Sequence, residues 1–278
     1  MIVKFFRCVG FMAAAAMLAG VAVSAEEQGA LGIKLGPGSR LLLSMDSAVT
    51  YYDNYYYTPS NKESAIGLVV KPAAEVAVGR GQLNYSISAV ADAAALNLEG
   101  DQDDYLDTAL SGKFNWAPLT RHQFRGSIYR LDDHDPFGTR RTEGTASATA
   151  RLDEWAQTGA NLVYRFGAPQ AKINLEGGIG TMDRSYSTNR SFTRFLDHDI
   201  DTLSGTVFYN VSSKTALVAE VIAADISYDD VAPGSISRAG DLTRYRVGAI
   251  WQATGNTSGD IRIGKVEREF DAAAQQGF

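Results

Sequence analysis

The stretch DTALSGKFNW, residues 107–116, alternates between two kinds of side chain. One face of an extended chain would carry Asp107 and Lys113, whereas the opposite face would carry Leu110 and Trp116. A period of two is typical of a β-strand whose two faces meet different surroundings. This segment is therefore predicted to be a strand with one polar and one apolar face.

The same alternation recurs along the chain and predicts about eleven strands. They cover residues 40–52, 64–78, 82–98, 105–117, 121–131, 154–167, 170–182, 202–212, 214–228, 242–253 and 257–270. Most are longer than the usual strand of a soluble protein, and they are long enough to cross a membrane when tilted. Only Pro72 falls inside a predicted strand, so the second segment is expected to be bent or misassigned.

The connections between these strands alternate in length. Short turns are predicted near residues 79–81, 117–120, 167–169, 212–214 and 254–256, and longer polar loops near 53–63, 99–104, 132–153, 183–201 and 229–241. Short turns at one end and long loops at the other are typical of outer-membrane barrels. A soluble β-sandwich or propeller would also alternate, but it would not explain this asymmetry. The prediction is an all-β protein, an antiparallel transmembrane β-barrel with about 11–12 strands visible.

The N-terminus predicts export. Residues 1–25 combine a cationic start, an apolar run and small residues before Ala25, as a secretory signal peptide does. Residues 26–39 are predicted to form a periplasmic N-terminal segment, and residues 40–278 the barrel. The single cysteine, Cys8, would leave with the signal. The predicted location is the outer membrane of a Gram-negative bacterium.

The C-terminus predicts an incomplete barrel. Bacterial single-chain barrels have an even number of strands, whereas eleven would leave the chain end outside the cell. Residues 271–278 resemble the start of another loop. The chain is therefore predicted to be C-terminally truncated, lacking at least one strand, so that Phe278 is not the natural end. The alternative is a count that is wrong by one at the segment containing Pro72.

Two sets of residues are predicted to have distinct roles on the two faces. The periplasmic aromatic girdle is expected to contain Trp116, Tyr164, Phe166, Tyr209 and Trp251. The lumen is expected to be lined by Lys113, Arg125, Arg165, Glu176, Glu220, Arg244, Arg246 and Arg262. Only Tyr129 and Phe208 are expected to be inward-facing aromatics. The mixed charges predict no single-sign filter, and they are compatible with either a hydrated pore or a plugged barrel.

The charge and the histidines restrict the chemistry. Lys and Arg total 26 against 32 for Asp and Glu, which excludes a nucleic-acid binder that relies on a basic surface. The acidic loops offer oxygen ligands, but a solvated loop face is the simpler interpretation, and no metal or cofactor is predicted. His122, His134 and His198 have no serine and acid at recognisable spacing. The chain is predicted not to be an enzyme.

The residues resemble the β-barrel porins encoded in exopolysaccharide and capsule operons of Gram-negative bacteria. The resemblance rests on the order of short marks: Tyr52-Asp53-Asn54, Ser64, Lys71-Pro72, Asp103-Asp104-Tyr105, residues 134–139, residues 141–144, Tyr228, Arg246-Val247-Gly248, Trp251, Thr254 and residues 264–270. Members of this family continue for several strands beyond the equivalent of Phe278, in agreement with the strand count.

The resemblance implies a channel or export component of exopolysaccharide biosynthesis or secretion. Expected partners are outer-membrane lipid and lipopolysaccharide, together with polysaccharide and periplasmic export components. One alternative is a non-conducting structural or interaction barrel. A remote alternative is an outer-membrane lipid or polysaccharide hydrolase.

Overall fold

A computed structural model describes residues 31–98, 104–138, 151–252 and 257–271. Twelve antiparallel strands form one sheet, in which every strand pairs with its neighbours in sequence. The strands are β1 (Leu31–Gly36), β2 (Ser39–Tyr52), β3 (Ala65–Arg80), β4 (Leu83–Leu96), β5 (Tyr105–Leu119), β6 (His122–Asp135), β7 (Asp153–Phe166), β8 (Ile173–Tyr186), β9 (His198–Ser212), β10 (Thr215–Tyr228), β11 (Gly240–Gln252) and β12 (Ser258–Phe270). A short helix α1 (Arg190–Thr193) and a 3₁₀ turn (Arg194–Leu196) join β8 to β9.

The predicted all-β antiparallel architecture is confirmed. The eleven predicted strands correspond to β2 through β12, with ends that differ by a few residues. The prediction missed β1, which lies within the predicted N-terminal segment 26–39, so the sheet begins at Leu31 rather than at residue 40. No helix in the described part of the chain is long and apolar enough to cross a membrane.

Strands β1 and β12 are the two edges of the sheet, and their described residues do not pair with each other. In these parts of the chain the sheet is therefore an open wall rather than a closed cylinder. The count of eleven strands was one short because β1 was overlooked. The predicted C-terminal truncation stays a prediction.

The alternation of connection lengths is confirmed and gives the sheet two unlike ends. The short-turn end carries the connections that follow β1, β3, β5, β7, β9 and β11, and the long-loop end carries the others. At the short-turn end Gly38 has φ of 71°, a left-handed conformation in which a side chain is strained. The Gly79 amide donates to the Gly38 carbonyl at 2.7 Å, which joins the first two turns.

Pro72 lies inside β3, opposite Met45 of β2. The ladder between β3 and β4 runs from Gly67 to Val70 and resumes at Ala73, so the register is kept across a local gap. The gap follows from the missing proline N–H. The segment is a strand, as predicted, and the interruption is confined to one side of it.

The two faces of the sheet differ in chemistry. On the outer face large apolar side chains stand exposed, among them Met45, Val49, Ile87, Leu110, Ile128, Ile179, Leu203, Val247 and Ile263. The inner face is polar. Arg125 of β6 reaches Glu176 of β8 across β7, and strands two apart are separated by about 10 Å. Contacts of this span connect strands that are not paired with each other.

A small hydrophobic core lies at the long-loop end. Tyr55, Ala65, Phe137 and Leu152 are buried together, and the Tyr55 and Phe137 rings meet edge to face at 5.5 Å. These residues come from the connection after β2 and from both sides of the connection after β6. The core therefore holds two long loops against each other above the sheet.

The inner face as candidate functional site

The predicted girdle residues lie on the outer face, near the short-turn end. Trp116, Phe166, Tyr209 and Trp251 are exposed there, and Tyr164 is half-buried. Trp116 stacks on Phe124 at 5.4 Å, and Phe124 lies 5.0 Å from Tyr164. Phe124 was not among the predicted girdle residues, although its side chain lies on the same face as theirs.

His122 closes this aromatic row at the turn. Its Nδ1 atom lies 2.7 Å from the Tyr164 hydroxyl, and its ring lies 5.4 Å from that of Phe166. Rings with a polar edge suit the level of lipid headgroups, where one end of the side chain is apolar and the other is wet. The row thus marks one boundary of the apolar outer face.

All eight residues predicted to line the lumen lie on the inner face, according to the strand register. The register pairs are Lys113 with Ser86, Arg125 with Asn115, Arg165 with Glu176, Glu220 with Arg246, Gly248 with Arg262, and Ile222 with Arg244. The structure brings six of the eight into two ion-pair clusters. Lys113 and Arg244 belong to neither cluster.

The first cluster surrounds Glu176 on β8. Arg125 donates from Nη2 to Oε1 of Glu176 at 2.8 Å, and Arg165 donates from Nη1 to the same oxygen at 3.2 Å. The Arg165 guanidinium also lies 5.0 Å from the centre of the Phe208 ring. One carboxylate is thus shared by two guanidiniums from β6 and β7.

The second cluster surrounds Glu220 on β10. Arg246 donates to Oε1 of Glu220 from Nε at 2.7 Å and also from Nη2. Arg262 donates from Nη1 to Oε2 at 2.9 Å, and its Nη2 lies 2.8 Å from Asp260. The arrangement of the first cluster is repeated, with an added carboxylate at the β12 edge.

The two clusters form one band. Thr206 of β9 is the register partner of both Glu176 and Glu220, so the two carboxylates lie at the same level on either side of β9. We call this band the arginine belt, made of Arg125, Arg165, Arg246 and Arg262 with Glu176 and Glu220. It crosses the inner face in the half nearer the short turns.

An acidic row lies on the inner face of β2 to β5. Asp46 is the register partner of Lys71, whose Nζ lies 2.6 Å from Asp92. Asp92 is in turn the register partner of Asp107. The Oδ1 atom of Asp92 is buried and lacks a hydrogen-bond partner.

His134 extends this acidic row. Its Nδ1 lies 2.9 Å from Asp107, and its ring packs against Tyr105 at 4.4 Å. One ligand atom each from Asp107, Asp133 and His134 lie within 4.8 Å of one another. These are residue types that bind divalent cations, and here His134 pairs directly with Asp107.

The expectation that only Tyr129 and Phe208 face inward is wrong. Trp155, Tyr186 and Tyr228 share the parity of Arg165, Glu176 and Glu220 on their own strands; Trp155 and Tyr186 pair with each other. Trp155 and Tyr186 are buried, and both donate to Asp135, at 3.2 and 3.0 Å. Trp155 lies an even number of residues from Arg165 on the same strand, so the alternation could have placed it on the inner face. Tyr186 lay beyond the predicted end of its strand.

Arginine side chains cover several of these rings. Arg184 lies 3.8 Å from the centre of the Trp155 ring, and Arg238 lies 4.4 Å from that of Tyr228. Guanidiniums at such distances are attracted to the ring face. The inner aromatics at the long-loop end therefore serve to anchor arginines.

The three histidines have separate partners. His122 contacts the Tyr164 hydroxyl, His134 pairs with Asp107, and His198 lies 2.7 Å from the Leu196 carbonyl through Nδ1. Within residues 31–98, 104–138, 151–252 and 257–271, none of them bonds to a serine hydroxyl. A histidine-activated serine is not assembled in those ranges.

No family model matches this sequence, and no curated protein does. Among solved structures, the chain is similar to the open form of the ferric-catecholate import receptor Fiu from E. coli K12. The TM-score is 0.50 with 10% identity over 87% of this chain and 52% of that one. It is also similar to the copper transporter OprC, with a TM-score of 0.41 and 14% identity over 82% and 42% of the two chains.

The chain has the fold of an outer-membrane β-barrel. It spans about half the length of the Fiu receptor, 52% of that chain. Long antiparallel strands, an exposed apolar outer face and an aromatic row at the short turns agree with this fold. The protein is located in the bacterial outer membrane.

Proposed function

We propose that this chain is a channel or export component associated with exopolysaccharide biosynthesis or secretion. The observation that carries the proposal is the contrast between an apolar outer face and an inner face rich in charged and amide side chains. Such an inner face holds water, whereas the outer face excludes it. Polar solutes would pass along the inner face.

Neutral hydrogen-bonding groups on the inner face suit a sugar chain. Gln123 donates to Asn115 at 2.9 Å, and Ser127 donates to Asn161 at 3.2 Å. Amides and hydroxyls act as both donors and acceptors, as sugar hydroxyls do. The resemblance of the sequence to the exopolysaccharide-operon porins supports the same substrate class.

The name of the Fiu structure, an import receptor, also supports a transport function over catalysis. Fiu and OprC are both far from this chain in sequence. We do not carry over the ferric-catecholate or the copper that their names mention. We propose instead that the solute is set by the side chains of this inner face, and that the protein is not an enzyme.

The test is a deletion strain measured in two compartments. We expect secreted polysaccharide to fall while polysaccharide accumulates in the periplasm, because synthesis continues and exit is blocked. Complementation with the full chain should restore secretion. Unchanged secretion would contradict the proposal, and a fall without periplasmic accumulation would indicate a defect in synthesis.

Conductance separates a channel from a structural barrel. The full chain, purified from outer membranes, should migrate faster before boiling than after if it forms a stable closed barrel. Folded material should then conduct in planar bilayers. Folded protein without conductance would favour a structural or interaction barrel, because its inner face would be closed to ions.

A further inference from the structure

In the arginine belt the glutamates are more shielded from solvent than the arginines. The side chains of Glu176 and Glu220 are 14% and 10% exposed, whereas those of Arg125, Arg165, Arg246 and Arg262 are 45%, 29%, 30% and 25% exposed. The carboxylates thus lie beneath the guanidiniums. A solute that approaches the inner face meets positive charge first.

The guanidiniums retain donors for a solute. Each carries five N–H groups, and Arg125 and Arg165 each donate to Glu176 through a single nitrogen. Two guanidiniums around Glu176 also leave the first cluster with a net positive charge. In the second cluster Asp260 balances the charge at the β12 edge, so that the excess positive charge there comes from the neighbouring Arg244.

Arg244 adds a further cation beside the belt. It lies two residues from Arg246 on the same face of β11, and it is half-buried. In the described ranges Arg244 makes no hydrogen bond or ion pair. Lys113, on β5, is an exposed residue of the same inner face.

The acidic row and the belt occupy different strands of the inner face. Asp46, Asp92 and Asp107 lie with Lys71 on β2 to β5, whereas the belt and Arg244 lie on β6 to β12. The acidic row therefore does not neutralise the belt. In a barrel with periplasmic short turns, an anion that enters from the periplasm reaches Arg125 and Arg165 before Asp92 and Asp107, because the two arginines lie near the short turns.

We propose that the arginine belt, together with Arg244, binds carboxylate-bearing saccharides on the inner face. This inference deepens the proposed function and rests on it, because it names the solute class of the same face. Guanidiniums bind carboxylates through paired, charge-assisted hydrogen bonds, and they need no metal to do so. The buried glutamates hold the guanidiniums in place for the solute.

The test measures binding to the full chain in detergent by isothermal titration calorimetry. The probe is trigalacturonic acid, and maltotriose is the neutral comparison of the same length. We expect trigalacturonic acid to bind and maltotriose to bind at least about tenfold more weakly, since one charge-assisted contact accounts for such a ratio. Equal binding of the two sugars would overturn the proposal.

Two variants locate the binding. Arg244→Gln leaves both glutamates paired, and the double variant Arg165→Gln, Arg246→Gln removes one guanidinium from each cluster. We expect about a tenfold loss of trigalacturonic acid binding in each. The matched control is Arg130→Gln, because Arg130 is an exposed arginine on the outer side, paired with Asp132 at 2.7 Å. A loss in the control as large as in Arg244→Gln would overturn the assignment.

Two further measurements separate loss of binding from loss of folding, and saccharide binding from the binding of small anions. Gel mobility before boiling shows whether each variant folds; if the double variant does not fold, Arg244→Gln alone decides. Sodium sulfate that competes as well as trigalacturonic acid at equal charge would overturn the saccharide class in favour of small anions. If deletion leaves secretion unchanged while the belt binds trigalacturonic acid, the proposed function fails and the binding site stands.

Discussion

Arg125 on β6 and Glu176 on β8 meet at 2.8 Å across the intervening strand β7. Arg165 on β7 reaches the same carboxylate oxygen, so three consecutive strands are joined through one side chain. Backbone ladders connect each strand only to its immediate neighbours. The shared glutamate therefore adds a link between β6 and β8 that the ladders do not provide.

Replacing Glu176 by Gln should weaken this link. The two guanidiniums would keep their charge and lose the anion between them, and we expect the free energy of unfolding to fall by about 1 kcal/mol, because the arginines remain partly solvated. Urea unfolding of the protein in lipid vesicles, followed by tryptophan fluorescence, measures the change. Glu75→Gln is the control on the same face, and an equal loss there would contradict a specific role for Glu176.

The aromatic row should be sensitive to substitution of Phe124, the residue at its centre. Phe124 contacts both Trp116 and Tyr164, so Phe124→Ala removes two ring contacts at once. We expect a loss of about 1–3 kcal/mol in the free energy of unfolding, from the ring pairs and the lost burial together. Leu119→Ala, an exposed apolar position near the same turn, should cost less. A larger loss for Leu119→Ala would refute the role of the ring contacts.

The turn after β1 should not tolerate a side chain at Gly38. A Cβ on Gly38 would clash with the Gly79 carbonyl oxygen, and the φ of 71° adds backbone strain, so Gly38→Ala should lose at least about 1 kcal/mol. Gly36→Ala is the matched control, because nothing lies within 4 Å of a Cβ placed there. Hydrogen exchange of the β1 and β2 amides reports the difference. Equal protection in the two variants would count against the clash.

His134 should hold the end of β5 in place. Its pairing with Asp107 and its packing on Tyr105 would both be lost in His134→Ala, leaving Asp107 beside Asp92 without the histidine. We expect faster hydrogen exchange at residues 105–107 with no change at the short-turn end. His122→Ala serves as the comparison, and it should affect the turn that it occupies. Unchanged exchange at residues 105–107 would show that His134 is dispensable there.

The sequence predicts strands well where the two faces meet different surroundings. β5, predicted over 105–117, spans Tyr105–Leu119, because its alternation is long and regular. β1 was missed because its six residues include two glycines, at Gly32 and Gly36, which leave too few side chains to show a period. Tyr186 was missed because β8 continues beyond the last clear alternation, into the polar connection.

The members of the candidate site were predictable, but their pairing was not. Parity along each strand places Arg125 and Glu176 on the polar face. Their contact depends on the register of three strands, and the two residues are 51 positions apart. Counting charges gave a near balance of signs on the inner face. Only the register shows that Asp46, Asp92 and Asp107 form a row on β2 to β5 and that the arginine belt spans β6 to β12.

The alternation of β5 also affects how such a chain reaches its destination. Its large apolar residues Leu110, Phe114 and Trp116 are separated from one another by Ser, Gly, Lys and Asn. A helix that inserts into the inner membrane needs about 20 successive apolar residues. Before folding, β5 contains no apolar run of this length. The apolar outer face that contacts lipid forms only when the twelve strands pair. The chain therefore acquires its membrane-compatible surface by folding.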